Sequence, residues 1–208
     1  MVKVSAPCLS LGASGKLGGA IVFSNWKGRP YVRELVRPAN PRSGGQVGVR
    51  AMFKFLSQRW TDVPSGKQAS WEDRADDSII SAFNAFMGYN MARWRNFKAP
   101  SLADPALEAA AAPAAPTTTP ADGVRQISLS IADGAPAPDC GYIIHRSLTT
   151  GFTPSFANAI AVINWDPGGT TVYIDTPLDP ETYYYRIAGF MDDGKMGTLE
   201  AEIEDTVV

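Results

Sequence analysis

The stretch from Ala99 to Asp122 contains almost no side chain large enough to build a hydrophobic core. It consists mostly of Ala, Pro and Thr, and its large apolar residues are Leu102 and Leu107. Such a segment buries too little apolar surface to offset the entropy cost of ordering it, and its prolines favour extended backbone. The sequence therefore predicts two domains, 1–98 and 118–208, joined by a semi-stiff linker at 99–117.

The charge distribution changes sign across the same boundary. Residues 1–60 carry ten basic side chains and one acidic side chain, a net charge of +9, whereas residues 101–208 carry four basic and fifteen acidic ones, a net of −11. The formal charge of −2 for the whole chain hides this difference. An asymmetry of this size indicates two modules with different electrostatic partners.

The first domain is predicted to be α+β. Short β-branched and aromatic runs at 20–23 and 31–36 flank a segment in which Gly28 can form a turn, which predicts a hairpin with a slightly long loop after a flexible glycine-rich lead-in. Apolar residues then recur at helical spacing from Val49 to Trp60. Two further helices are expected, one opened by a Ser65/Gln68 capping box and one extending from Ile79 to Phe97.

The C-terminal domain has the pattern of an antiparallel β-sandwich. Six short β-rich runs alternate with turn residues, at 124–131, 142–147, 159–163, 171–174, 183–189 and 198–203. The segment from Leu178 to Phe190, with Tyr183 near the start of a strand, resembles the tyrosine corner and following hairpin of fibronectin type III domains. The expected fold is therefore an immunoglobulin- or fibronectin III-like sandwich.

Motifs for catalysis, cofactors and metals are weak in this chain. The glycines from Gly12 to Gly19 have the wrong spacing for a phosphate-binding loop, and His145 has no second His with which to bind a metal. Cys8 and Cys140 fall in different predicted domains, so we expect no disulfide between them. We therefore expect no enzymatic activity, no cofactor, no bound metal, no membrane span and no signal peptide, and we expect synthesis in the cytoplasm.

The basic side chains of the first domain alternate with aromatic ones, a combination found where proteins bind partners. Three interpretations stay open at this point: contact with a partner protein, contact with nucleic acid through charge neutralisation and stacking, or a solvated basic surface. The candidate partner-binding residues are Lys16, Trp26, Lys27, Arg29, Tyr31, Arg33, Arg37, Arg42 and Arg50.

The order of short motifs over residues 12–97 resembles a group of small bacteriophage and prophage proteins. It comprises a glycine-rich start, Trp26-Lys-Gly-Arg29 in the hairpin, Asn40-Pro-Arg42 in a turn, and Phe83-Asn-Ala-Phe86 in the last helix. The resemblance implies a structural protein of the virion that contacts other virion proteins and forms a homo-oligomer within a symmetric assembly. An appended fibronectin-like domain is common in phage structural proteins, and the alternative is a nucleic-acid-binding protein that uses the basic domain on DNA.

Overall fold

The structure is a computed structural model, and it describes residues 2–3, 14–37, 39–40 and 42–207. The chain divides into two compact units between residues 41 and 42. This division differs from the predicted one, which placed residues 1–98 in one domain and 118–208 in another. The three helices belong to the same unit as the sandwich, and the residues before 42 form a unit of their own.

The first unit is an antiparallel sheet with the strand order β1-β4-β3-β2. Lys27 and Gly28 have φ values of +51° and +74° and form a two-residue turn between the paired residues Trp26 and Arg29. Positive φ at both positions matches the twist of a tight hairpin, so the loop is shorter than predicted. Part of the predicted lead-in is a strand, while Gly12 lies outside the described residues. The strands are β1 (Val2–Lys3), β2 (Gly15–Leu17), β3 (Ile21–Trp26) and β4 (Arg29–Glu34).

Three helices open the second unit: α1 (Gly44–Arg59), α2 (Ser65–Ser78) and α3 (Ala82–Arg95). The predicted capping box does not form, because Pro64 occupies the N-cap of α2 and the Gln68 side chain donates to the Trp60 carbonyl. The third helix begins later than predicted. The Ser81 side chain caps it by accepting a hydrogen bond from the Asn84 backbone N–H at 3.3 Å.

Seven strands form the β-sandwich that follows the helices. One sheet has the order β5-β6-β9 and the other β11-β10-β7-β8. The strand β5 was not predicted, and it begins at the last residue of the predicted linker. The strands are β5 (Thr117–Gly123), β6 (Gln126–Ala132), β7 (Gly141–Ser147), β8 (Ala159–Asn164), β9 (Thr171–Asp175), β10 (Thr182–Phe190) and β11 (Ile203–Thr206).

The predicted tyrosine corner is confirmed by its hydrogen bonds. The Tyr183 hydroxyl donates to the Asp179 carbonyl oxygen at 3.1 Å and lies 3.1 Å from the Asp179 backbone nitrogen, which donates back to it. These bonds fix the corner that leads into β10, as in immunoglobulin-like sandwiches.

The sheet β11-β10-β7-β8 is covered on both faces. On one face Tyr142 and Ile144 of β7 pack with Ile127 and Leu129 of β6 inside the sandwich. On the other face Ile143, Val162 and Phe190 share a core with the helices, where Phe55 of α1 meets the Phe190 ring edge-to-face at 5.6 Å. The order of layers is therefore helices, four-stranded sheet, three-stranded sheet.

Glycine allows α1 to lie close to the chain that enters β8. A Cβ at Gly48 would collide with the Phe156 carbonyl oxygen, and a Cβ at Gly44 would collide with that of Ala157. The Trp94 indole N–H donates to the Gly48 carbonyl at 3.2 Å, which holds α3 to α1 at the same level. These contacts fix the helices on the sheet and explain why the helical part and the sandwich form one unit.

The segment predicted as a linker is packed and hydrogen bonded. Ala99, Ser101 and Leu102 are buried. The Trp71 indole N–H donates to the Leu102 carbonyl at 2.8 Å, and the Leu102 N–H donates to the Asp192 carbonyl at 2.7 Å. The physical reason for the difference is that backbone bonds and a few small apolar side chains order this segment between two larger surfaces.

His145 of β7 lies at the boundary between the sheet and the helices and is fully buried. Its Nδ1 lies 3.1 Å from the Arg186 carbonyl oxygen, its ring meets Phe97 edge-to-face, and its Nε2 has no hydrogen-bond partner among the described residues. Burial lowers the pKa of His145 from 6.5 to about 4. The folded protein therefore holds this imidazole neutral.

Replacing Leu102 tests whether the 99–117 segment is structural. We expect Leu102→Ala to lower the free energy of unfolding of the second unit by about 2–4 kcal/mol, because it removes a buried side chain. The matched control is Leu107→Ala, since Leu107 lies in the same segment and is 72% exposed, and it should be nearly neutral. Urea unfolding followed by tryptophan fluorescence measures both changes. If Leu102→Ala lowered the free energy of unfolding as little as Leu107→Ala, the segment would act only as a spacer.

Acid should destabilise the fold through His145. Because its pKa is lower in the folded state, the unfolded chain binds the extra proton, so stability is complete above pH 6.5 and falls as the pH falls toward about 4. His145→Phe should remove roughly 2 kcal/mol of the stability difference between pH 7 and pH 4.5. Urea unfolding of both proteins at the two pH values gives that difference. An unchanged pH dependence in the variant contradicts the assignment.

Candidate interaction site

The sheet of the first unit has two chemically different faces. Directly paired residues of neighbouring strands share a face, and successive residues alternate between faces. The register pairs Lys16 with Val22, Val22 with Arg33, and Trp26 with Arg29. These pairs, together with Tyr31 opposite Ser24, lie on one side of the sheet. We call this side the basic face; it carries Lys16, Trp26, Arg29, Tyr31 and Arg33.

The opposite side of the sheet is mostly apolar. Leu17 pairs with Ile21, and Phe23 pairs with Val32. We call these four residues the apolar face. Leu17 is 56% exposed, Ile21 is 36% exposed, and Phe23 and Val32 are half-buried. Within the described part of the first unit, no second layer of residues covers this apolar face, as one normally would.

None of the described residues between 14 and 40 is buried. Trp26, the largest side chain of the sheet, is 64% exposed, and the Lys27 ammonium lies 5.0 Å from the centre of its ring. This cation–π contact places one more positive charge at the tip of the hairpin. The first unit therefore presents a Trp, a Tyr and several cations on a short, open sheet.

The structure brings together most of the predicted partner-binding residues, but not all of them. Lys16, Trp26, Arg29, Tyr31 and Arg33 share the basic face, and Lys27 forms the adjoining turn. Arg37 is exposed after β4. Arg42 and Arg50 belong to the second unit, where they lie before and within α1. The predicted set is therefore divided between the two units.

Arg42 and Arg50 line a groove of the second unit that the sequence did not reveal. Three adjoining cavities of about 250, 330 and 290 Å³ follow α1 along the outer side of β8. Lys54 and Arg146 add two more cations, and no acidic side chain lines any of the three. We call this surface the β8 groove. A signal in the sequence was the spacing of Arg50 and Lys54 on one side of α1.

Buried polar groups inside the sandwich have structural partners. The Arg146 guanidinium lies 2.7 Å from an Asp175 carboxylate oxygen, which also accepts a hydrogen bond from the Tyr185 hydroxyl at 2.9 Å. Burial and the neighbouring carboxylate raise the pKa of Tyr185, and burial raises the pKa of Tyr173 to about 12. These phenols stay protonated near neutral pH, so they serve as hydrogen-bonding and packing groups.

The thiol of Cys140 is free and buried, and burial raises its pKa to about 12, so it is a poor nucleophile. Cys8 lies outside the described residues. Within the described ranges, no three His, Cys, Asp or Glu side chains are placed to hold a metal ion. Of the helices that the structure describes, none is long and apolar enough to cross a membrane. The surfaces described above are thus the candidate site.

No protein-family model matches the sequence, and no curated protein matches it. Solved structures with some similarity each cover 47% of the chain. A β-1,2-glucanase from Parabacteroides distasonis has 19% identity and a TM-score of 0.38. A Fn3-like protein from Clostridium thermocellum has 22% identity and a TM-score of 0.34. The FN1–FN3 domains of chicken CNTN1 have 17% identity and a TM-score of 0.36.

The chain spans 13% of the glucanase, 93% of the Fn3-like protein and 32% of the CNTN1 fragment. Identities this low concern the fold alone. The two-sheet strand order and the tyrosine corner at Tyr183 are those of a fibronectin type III-like sandwich. The second unit therefore contains a fibronectin type III-like β-sandwich.

Proposed function

We propose that this chain is a structural subunit of a bacteriophage particle and that it attaches to neighbouring virion proteins through its N-terminal sheet. One observation carries the proposal: a four-stranded sheet in which no described residue between 14 and 40 is buried. Sheets gain stability by packing a face against another layer. A partner that supplies this layer turns an uncovered sheet into an interface core.

The side chains of the sheet suit a protein partner. Trp, Tyr and Arg contribute most of the energy at protein interfaces, and the basic face presents Trp26, Tyr31 and two arginines. The apolar face offers Phe23 and Val32 for burial against a second layer. A partner that covers both faces of the sheet gains affinity from apolar burial on one side and orientation from charge on the other.

The assignment to a virion comes from the order of motifs over residues 12–97, which resembles phage structural proteins. The fibronectin type III-like sandwich is compatible with this role, because a domain of this kind can be displayed at a surface or packed against neighbours. Many copies in a symmetric assembly strengthen weak individual contacts by avidity. The role proposed for this chain is therefore docking by the first unit and display by the second.

A nucleic-acid-binding function is the second candidate, and the basic face favours it. Lys16, Arg29 and Arg33 stand on the same side of the sheet as Trp26 and Tyr31. Cations neutralise phosphates while aromatic rings stack on unpaired bases. A sheet surface of this composition suits a single strand better than a duplex, because stacking requires exposed bases.

Particle composition tests the proposed function. Mass spectrometry of purified particles from cells that carry the gene on a phage or prophage should detect the chain. The combined variant Trp26→Ala/Arg29→Glu/Arg33→Glu should be lost from particles, because it removes the anchors of the basic face. Arg95→Glu, an exposed cation of α3, is the matched control and should be retained. Absence of the wild-type chain from particles contradicts the virion role.

The same variants separate the two functions on a fluorescent single-stranded oligonucleotide. If the basic face binds nucleic acid, affinity should fall with salt at a logarithmic slope of about −2 for three phosphate contacts. The combined variant should then lose binding, and Arg95→Glu should keep it. Particle incorporation without oligonucleotide binding supports the virion role alone, and the reverse result supports nucleic-acid binding.

A further inference from the structure

The four-stranded sheet of the second unit ends in two strands, β8 and β11, that pair on one side only. In an antiparallel pair, successive residues of a strand point their backbone N–H and C=O groups alternately toward and away from the neighbouring strand. The Trp165 N–H donates to the Cys140 carbonyl at 3.1 Å, so the backbone groups of Val162 and Asn164 point away from β7. The Val207 N–H donates to the Glu181 carbonyl at 3.1 Å, which likewise turns those of Glu204 and Thr206 away from β10. On the β11 edge the Thr206 N–H donates to the Asp205 carboxylate at 2.9 Å. The β8 edge therefore presents the donors and acceptors of Val162 and Asn164 to another strand, and the β11 edge presents the Glu204 N–H with the carbonyls of Glu204 and Thr206.

The β8 edge opens into the β8 groove. Five consecutive residues, 160–164, line one of its cavities together with α1 side chains and Tyr173 of β9. Side chains of consecutive strand residues point to opposite faces, so a cavity that touches all five lies along the edge of the strand. The groove is therefore bounded by α1 on the helical side and by β9 on the sandwich side, with the strand edge between them.

The β8 edge lacks the usual protection against pairing with another strand. Natural edge strands carry charges, prolines or bulges that discourage association. The strand β8 has the sequence Ala-Ile-Ala-Val-Ile-Asn and contains no charged residue or proline. Its bulge lies at the end that pairs with His145, so the stretch from Ala161 to Asn164 is regular. An extended segment can add there by strand addition.

The two edges carry opposite charges. Arg42, Arg50 and Lys54 line the β8 groove, together with Arg146, whose charge is paired with Asp175 at 2.7 Å. The other edge carries Glu204 and Asp205 within β11, and the Glu204 side chain is exposed. The Glu202 carboxylate, just before the strand, accepts hydrogen bonds from Thr150 and Gly151 of the same chain. A strand with this acidic character fits a cationic groove and is repelled by another copy of itself.

We propose that β11 of one copy adds to the β8 edge of a second copy, so that the sheet continues from molecule to molecule. Neighbouring strands in this sheet are all antiparallel, so β11 runs antiparallel to β8. A second copy in the same orientation therefore extends the sheet with another antiparallel pair. The contact is head-to-tail, because two acidic edges repel, and it generates a ring or a filament.

This inference goes beyond the proposed function, since it involves only the second unit and assigns a specific contact between copies. The contact is short, because β11 has four residues. A single junction is therefore weak, and closure into a ring or attachment to a particle strengthens it.

Charge exchange tests the contact in the full-length chain. Lys54→Glu and Glu204→Lys should each weaken self-association by roughly tenfold at low salt. The double variant, and an equimolar mixture of the two single variants, should regain most of the association. Sedimentation velocity at concentrations up to about 1 mM covers the range of weak contacts. Arg95→Glu and Glu72→Lys, which change exposed charges of the helices, are matched controls.

A backbone variant tests strand addition separately from charge. Asn164→Pro removes an N–H that faces away from β7, so the fold should survive while the β8 edge loses a donor. Adding this variant to the wild-type chain should shorten the oligomers, because it can join only through β11. Far-ultraviolet circular dichroism and urea unfolding check the fold of each variant.

Several results would overturn the contact. They are a wild-type chain that stays monomeric at about 1 mM, oligomers that ignore both Lys54→Glu and Glu204→Lys, and single variants that do not recover on mixing. Arg33→Glu on the basic face should leave self-association unchanged. Particle incorporation of the Arg33→Glu variant tests the proposed function, and self-association of the Lys54→Glu and Glu204→Lys variants tests this contact. The two proposals can therefore fail separately.

Discussion

Burial of one sheet on both faces is the constraint on which the second unit depends. Ile144 packs into the sandwich core and Ile143, the preceding residue of β7, packs into the core shared with the helices. Neighbouring residues of one strand belong to different cores, so both cores depend on the same strand. Loss of either core exposes one apolar face of the sheet and destabilises the other core as well. The helices are therefore a third layer of the same structure.

The elements of this fold could be predicted better than their arrangement. Turn residues and alternation located five of the seven sandwich strands, and helical spacing located α1. The run predicted at 198–203 meets β11 (Ile203–Thr206) only at Ile203, and β5 was not predicted. The run from Tyr142 to Ile144 is continuously apolar, the pattern of a strand buried on both sides. The segment 99–117 was predicted as a linker, however, and a linker there separates the sandwich from the helices that cover this strand. The Ala/Pro segment was predicted to be a spacer, because its own side chains bury little surface. It is ordered instead by partners that are distant in sequence, such as Trp71 and Asp192.

The candidate site shows the same division. The hairpin residues Trp26 to Arg29 could be recognised from sequence, because a local turn determines their positions. Their sharing of a face with Lys16 and Arg33 depends on strand register, which a sequence with glycines before β3 specifies weakly. The β8 groove could not be predicted, since it requires α1 to lie beside β8, and that contact depends on Gly44 and Gly48 fitting against carbonyl oxygens.

Native-state hydrogen exchange tests most directly whether the helices and the sandwich share one cooperative structure. The informative amides are those of Leu56 in α1, Phe86 in α3 and Ile144 in β7, whose side chains are fully buried. They should exchange with the same free energy and the same dependence on denaturant, through one global opening. Exchange of the helical amides through a smaller opening, while β7 stays protected, would contradict the account.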